Sequence, residues 1–391
     1  MFDTAQAGPT RLANARIVLP DSVLHGAVTL SGDRIAAIEP ADGAPSPDPE
    51  AELDLGGQLL IPGVVDLHTD HVEAHVYPRA SVQWPFLPAL MAHDAVVVAG
   101  GTTTVFDSLS VGAATKRPER REILLPLVEA IVAGRDAGLF RAAHLVHLRC
   151  EISDPATPGL VDATIGRDIA RLVSVMDHTP GDRQSPDIDA WFAQMIREVG
   201  IDAEQGRAQL DALLDRAATH GRAVRAHVAG TARAHATPLM SHDDRSVAHV
   251  NTALAEGATV AEFPTTLAAA QQARAHGMAI VAGAPNYLRG GSQSGNVGVA
   301  ALLQAGLVDA LASDYIPRSP LDAALAMADD PAMAFDLPAA VALISDGPAR
   351  LAGLDDRGRI APGLRADLVA VRRHAEQPVV TAVWRDGRRV F

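Results

Sequence analysis

The chain has 391 residues, with 33 Lys and Arg against 47 Asp and Glu, and a formal net charge of −14. Hydrophobic residues make up 48% and charged residues 20%, the composition of a folded chain with a sizeable core rather than a disordered one. The acidic balance argues against a nucleic-acid binder, which needs a basic footprint, and the single cysteine, Cys150, excludes an intrachain disulfide framework or a Cys-rich zinc site.

The opening Met1-Phe2-Asp3-Thr4 lacks the basic and then apolar pattern of a secretory signal. No run of about 18 apolar residues predicts a transmembrane helix, so the expected compartment is the cytoplasm. Residues 11–40 alternate apolar and polar in Leu12–Leu19, Gly26–Leu30 and Arg34–Ile38, split by the Gly32-Asp33 turn, and read as a small β-sheet. Residues 41–50, with three prolines, read as a loop.

From residue 59 to 345 the rhythm changes. Eight apolar runs, each ending in polar residues, are separated by stretches rich in Ala and Leu: Val64–Asp70, Thr102–Ser108, His144–Glu151, Leu172–His178, Leu239–Asp243, Thr259–Pro264, Ala279–Pro285 and Ala310–Tyr315. Near-continuous apolar strands alternating with helices predict a parallel sheet buried on both faces, and eight of them predict an α/β fold with a closed (β/α)8 barrel. Residues 357–391 return to β character, with Arg365–Val371 as one strand and Val380–Arg385 and Arg388–Phe391 flanking an Asp386-Gly387 hairpin turn. The simplest arrangement joins both chain ends, 1–60 and 347–391, in a composite β domain, with a barrel of residues 61–346 inserted between them.

The chemistry-bearing residues fall at the ends of the predicted strands, where a barrel builds its site. His68 and Asp70 are two apart, so on a strand they share a side about 6.6 Å apart and suit one metal; a polar surface turn is the equal alternative for that segment alone. Glu151, His178, His242 and Asp314 close four further runs. One such residue is more often a hydrogen-bonded core group, but several at one barrel mouth are costly to bury together unless a cation compensates their charge. His and carboxylate ligands suit zinc, manganese or iron(II), in one or two ions, with Glu151 able to bridge two.

Pro62-Gly63-x-x-Asp66-x-His68-x-Asp70 near the start and Gly363-x-x-Ala366-Asp367-Leu368 near the end resemble the amidohydrolase superfamily, which joins a metal-bearing barrel to a β domain made from both chain ends. A narrower resemblance, to members serving phosphonate catabolism, runs through His147–Glu151, Met176–Gln184, Ser241–Asp244, Ala261–Thr266, Gly283–Asn286, Arg289–Asn296 and Ser313–Tyr315. It implies hydrolysis of α-D-ribose 1-methylphosphonate 5-triphosphate to the 5-phosphate and pyrophosphate. The strand-end residues His68, Asp70, Glu151, His178, His242 and Asp314 are the expected metal ligands, and Asp314, at the last strand end, is the candidate for managing protons. The polyphosphate charge is then assigned to Arg149, Arg183 and Arg289. Gly290, Gly291 and Ser292, beyond strand seven, are read as an anion-wrapping nest, although a Gly-Gly-Ser string by itself is more often a linker. The expected partners are a small phosphorylated sugar and no nucleic acid or membrane, with homo-oligomerisation left open.

Other histidines carry blander expectations. His144 and His147 read as packed or hydrogen-bonded, His75 and His93 as connecting or helical residues without a role, and His71 as pointing away from His68 unless the strand has already ended. Ala226-His227-Val228 looks strand-like, and His227 stays outside the main site. Two other classes compete with the phosphohydrolase: a C–N hydrolase (cyclic amidase or deaminase) on the same scaffold, which needs fewer Arg at the mouth, and a non-enzymatic barrel, which predicts lost ligands, whereas His68, Asp70, Glu151, His178, His242 and Asp314 are all of ligand-capable types.

Overall fold

The computed structural model describes residues 11–41, 52–79, 82–113, 120–183, 185–292, 295–375 and 377–391. The opening Met1–Thr4, residues 42–50 of the expected loop, and Gln293 and Ser294 of the Gly/Ser run lie outside the described residues.

The chain ends build one sheet. Its strands are β1 (Arg11–Val18), β2 (Val23–Ser31), β3 (Arg34–Pro40), β4 (Glu52–Asp54) and β5 (Leu59–Pro62). The other end contributes β14 (Leu368–His374), β15 (Gln377–Arg385) and β16 (Arg388–Arg389). The order is β16-β15-β14-β5-β1-β2-β3, with β4 beside β1. The two ends meet where β5 pairs antiparallel with β14, Ile61 opposite Val369. Leu12, Ile17, Leu60, Leu368 and Trp384 are buried together beneath that seam. Asp386 and Gly387 both take positive φ, 52° and 72°, the conformation a two-residue hairpin demands. Strands β4 and β5 have no counterpart among the expected elements; β5 is separated from the next strand by Gly63 alone, so the two merge in the sequence into one apolar run.

The barrel strands are β6 (Val64–Thr69), β7 (Thr102–Val111), β8 (Ala143–Glu151), β9 (Ala170–Met176), β10 (Leu239–His242), β11 (Val260–Glu262), β12 (Ala279–Gly283) and β13 (Ala310–Ala312). They pair in parallel and in sequence order, and each overlaps one of the eight apolar runs, with β7, β8 and β9 reaching one to three residues beyond theirs. β6 and β13 close the ring: Asp314 N–H donates to His68 O at 2.9 Å and Asp70 N–H to Asp314 O at 3.0 Å. Val65, Leu67, Phe106, Leu172, Met240 and Val260 fill the interior, while residues such as Val146 and Leu148 face the surrounding helices. Both strand faces are therefore apolar, which is why these runs show no alternation.

One expectation is corrected. Ala226-His227-Val228 lies within the 32-residue helix Ala203–Ala234, not in a strand. The Asp202 carboxylate caps that helix by accepting from Gln205 N–H at 2.8 Å, and its Ala content outweighs three residues of local β character. His227 lies exposed on the helix, its Nε2 2.8 Å from Asp162 Oδ1.

Candidate metal centre at the barrel mouth

Three imidazoles converge where β6, β9 and β10 end. The His68 and His242 ring centres are 5.8 Å apart, and those of His178 and His242 are 6.0 Å apart. Each ring has its Nδ1 against a carboxylate: His68 on Glu262 Oε1 at 2.7 Å, His178 on Glu151 Oε2 at 2.7 Å, and His242 on Asp243 Oδ2 at 3.1 Å. For His68 and His178 the carboxylate accepts from Nδ1 and leaves Nε2 as the lone-pair nitrogen, the pattern that orients metal-binding histidines; Asp243 Oδ2 pairs with His242 by charge and accepts no hydrogen bond. Ligand atoms of His68, His242 and Glu262 lie within 4.8 Å of one another, as do those of His178, His242 and Asp243, so His242 belongs to both groups.

Glu262 is the hub. It is wholly buried at the end of β11. Besides His68 it accepts from Ser174 Oγ at 2.8 Å, and its Oε2 lies 3.7 Å from His242 Nε2. Burial alone would raise its pKa, but His68, His147 and His242 outweigh burial and hold the carboxyl well below its usual range. Burial, reinforced by Asp70, pushes the Asp314 carboxyl up. For His242, burial opposes the charge, yet Asp243 and Glu262 win and raise its pKa. Asp243, Phe263 and Asp314, all just past strand ends, take positive φ of 54°, 54° and 55°. Such conformations cost about 1–3 kcal/mol each and persist where the surrounding structure demands them.

A cavity of about 370 Å³ opens above the centre. Asp70, Arg149, His178, His242, Asp243 and Asp314 line its polar side. Phe263, Asn286, Ser292, Asn296 and Tyr315 line the rest. The partly buried Arg149 guanidinium places Nη1 3.5 Å from Asp70 Oδ2.

Of the residues singled out from the sequence, His68, Asp70, His178, His242 and Asp314 therefore come together. Glu151 comes with them but does not line the cavity; its second oxygen accepts from Ser153 Oγ at 3.1 Å, so it stands behind His178. Arg149 and Ser292 line the cavity. Arg183 does not: it is 4% exposed and donates to Asp244 Oδ1 at 2.6 Å and His242 O at 2.9 Å. Arg289 reaches the cavity wall through Tyr315, donating to its hydroxyl at 3.2 Å, while Gly290 and Gly291 lie outside the lining residues.

Glu262 and Asp243 have no role in the sequence reading. Glu262 carries the same sequence signal as His68 or Asp314, a polar residue closing an apolar run. His147, at 0% exposure, is hydrogen-bonded inside the barrel, with Nδ1 3.0 Å from Leu67 O. Burial pushes its pKa down to about 3.

The donor set fits a divalent cation. Asp70, Asp243, Glu262 and Asp314 surround the centre, and among the described residues Arg149 is the one guanidinium in the cavity lining. So many carboxylates around a common point are costly without a compensating positive charge.

The amidohydrolase family model matches residues 189–391. The α-D-ribose 1-methylphosphonate 5-triphosphate diphosphatase of Escherichia coli K12 is 40% identical over 378 residues, covering 97% of this chain and 99% of that protein. An imidazolonepropionase of Cereibacter sphaeroides is 28% identical over 399 residues, covering 95% and 92%. Among solved structures, the 5-methylcytosine deaminase of Klebsiella pneumoniae superposes with a TM-score of 0.64 at 16% identity, covering 97% of each chain, a likeness of fold. With its chain ends folded into one sheet and its histidines gathered at the mouth of an eight-stranded barrel, this chain belongs to the amidohydrolase family.

Proposed function

We propose that the chain is a metal-dependent phosphohydrolase that cleaves α-D-ribose 1-methylphosphonate 5-triphosphate to the 5-phosphate and pyrophosphate. The observation that carries this reading is the 40% identity, along 97% of the chain, to a protein named for that activity. The cavity supports it through its charge: an acidic mouth repels a polyphosphate unless cations stand between them.

His68, His178 and His242 would hold the ion, with Asp70, Asp243 and Asp314 beside them. Zinc suits the imidazoles, and manganese or iron(II) suits the carboxylate share of the set. When bound, such an ion supplies Lewis acidity, making water acidic enough to attack near neutral pH.

The chain's own residues do the rest. Glu151 and Glu262 keep the His178 and His68 imidazoles oriented and in one tautomer, and Asp243 faces His242 as a charge partner. Asp314, with its carboxyl pushed up by burial, takes the proton of the attacking water and can return it to the leaving phosphate. Arg149 faces the developing negative charge from the cavity wall, and Ser292, Asn286 and Asn296 offer neutral donors to phosphate oxygens. Arg289 orients Tyr315 from behind.

The test is to incubate the purified chain with zinc or manganese and the 5-triphosphate and to follow phosphorus NMR. Stoichiometric pyrophosphate is the expected product. A folded, metal-loaded sample that releases none, or releases only inorganic phosphate, overturns the assignment.

A further inference from the structure

A second cluster of imidazoles lies outside the barrel, between the strand wall and the segment that follows β6. His71 precedes the short helix Val72–Val76 and His75 lies within it, four residues on and on the same side. His93 comes from the helix Phe86–Ala99 and is wholly buried. The ring centres are 4.9 Å apart for His71 and His75, 5.7 Å for His71 and His93, and 5.8 Å for His75 and His93.

Each ring has a buried nitrogen without a hydrogen-bond partner: Nδ1 of His71, Nε2 of His75 and Nδ1 of His93. A buried nitrogen left without a partner is costly, and three in one place call for a shared partner. Packing alone does not supply one. Neighbouring neutral imidazoles can hydrogen-bond one another, and these do not.

Behind His93 stands a carboxylate. His93 Nε2 lies 2.9 Å from Asp107 Oδ1, and the other oxygen of Asp107 receives His144 Nδ1 at 2.7 Å. Asp107 therefore holds the His93 proton on Nε2 and turns Nδ1 outward as a lone pair. This is the carboxylate–histidine arrangement that supports a metal ligand. A ligand nitrogen from each of the three histidines lies within 4.8 Å of the other two. Zinc–nitrogen bonds of about 2.0–2.1 Å in a tetrahedron place nitrogens roughly 3.4 Å apart, which small ring rotations reach.

We propose that His71, His75 and His93 form a second divalent-metal site, of zinc type, with Asp107 as the carboxylate that orients His93. Three imidazoles fill three tetrahedral positions and leave the fourth to solvent. The ion ties the chain leaving β6 to the helix Phe86–Ala99 and, through Asp107, to β7. Because His71 directly follows Asp70, the site also braces one wall of the cavity. It shares no ligand with the centre at the barrel mouth and stands whether or not the proposed hydrolysis is right.

The experiment is zinc stoichiometry by elemental analysis after dialysis against zinc, on the unaltered chain and on His75→Ala, with circular dichroism to verify folding. The unaltered chain is expected to retain one zinc ion per chain more than His75→Ala. Equal stoichiometry in two folded samples overturns the proposal. Anomalous diffraction at the zinc edge from crystals of the unaltered chain decides the matter even if the variant fails to fold. A peak among the three rings supports the site, and a map with no peak there overturns it.

Discussion

Replacing Glu151 separates two roles that the sequence alone leaves merged. A carboxylate bonded to the ion and a carboxylate standing behind a bonded histidine respond differently to substitution. The structure puts Glu151 Oε2 2.7 Å from His178 Nδ1, with 6% of the Glu151 side chain exposed against 32% for His178. A hydrogen bond to a charged partner is worth about 1.5–3 kcal/mol. Glu151→Ala removes it, frees the ring to turn and takes a partner from the Ser153 hydroxyl. At 1.4 kcal/mol per tenfold, zinc affinity should fall roughly 10- to 150-fold, in line with what supporting carboxylates contribute in metal sites. Glu151→Gln keeps an oxygen that accepts the same proton, now as a neutral bond worth about 0.5–1.5 kcal/mol, so its loss should stay near tenfold or below. Competition for zinc against a chromophoric chelator gives the affinity, and kcat/KM with the triphosphate should move in parallel. Equal losses in Gln and Ala would refute the positioning role, because a carboxylate bonded to the ion is replaced by neither.

Two further predictions concern stability. Burial alone would lower the pKa of His144, but Asp107 at 2.7 Å and Asp94 at 3.3 Å lift it to about 9. Its contribution is then complete below its ordinary pKa of 6.5 and is lost as pH rises through about 9, a swing of roughly 3 kcal/mol. Urea midpoints at pH 6 and pH 9.5 should diverge for the unaltered chain and draw together in His144→Gln; an unchanged divergence would remove His144 as its source. Trp384 is wholly buried at the seam of the chain ends, so Trp384→Ala should lower unfolding free energy by about 3–5 kcal/mol, read from denaturant melts; a loss below about 1 kcal/mol would show that the seam repacks.

Much of the architecture is legible in the residues because parallel barrel strands are buried on both faces. Val64–Thr69 and Ala279–Gly283 announce themselves as unbroken apolar runs. The Asp386-Gly387 turn is legible because its two residues are among the few that tolerate positive φ in succession. His68, Asp70, His178, His242 and Asp314 are legible by place, as polar residues closing apolar runs. The helix holding His227 is not, because a three-residue β-like pattern is too short to compete with 32 residues of helical context.

Sequence by itself determined which segments carry the barrel strands, which ends of them are polar and that any metal must be held by imidazole and carboxylate. Tertiary structure decided the partnerships. Glu151 stands behind His178 and Arg183 is tied up by Asp244, while Glu262 links His68 to His242 across 194 and 20 residues of chain. His71, His75 and His93 have their orphaned nitrogens gathered on the far side of the barrel wall. The reason is that a side chain's periodicity reports which face it occupies, whereas the charge it meets there depends on which distant strands the closing barrel sets beside it.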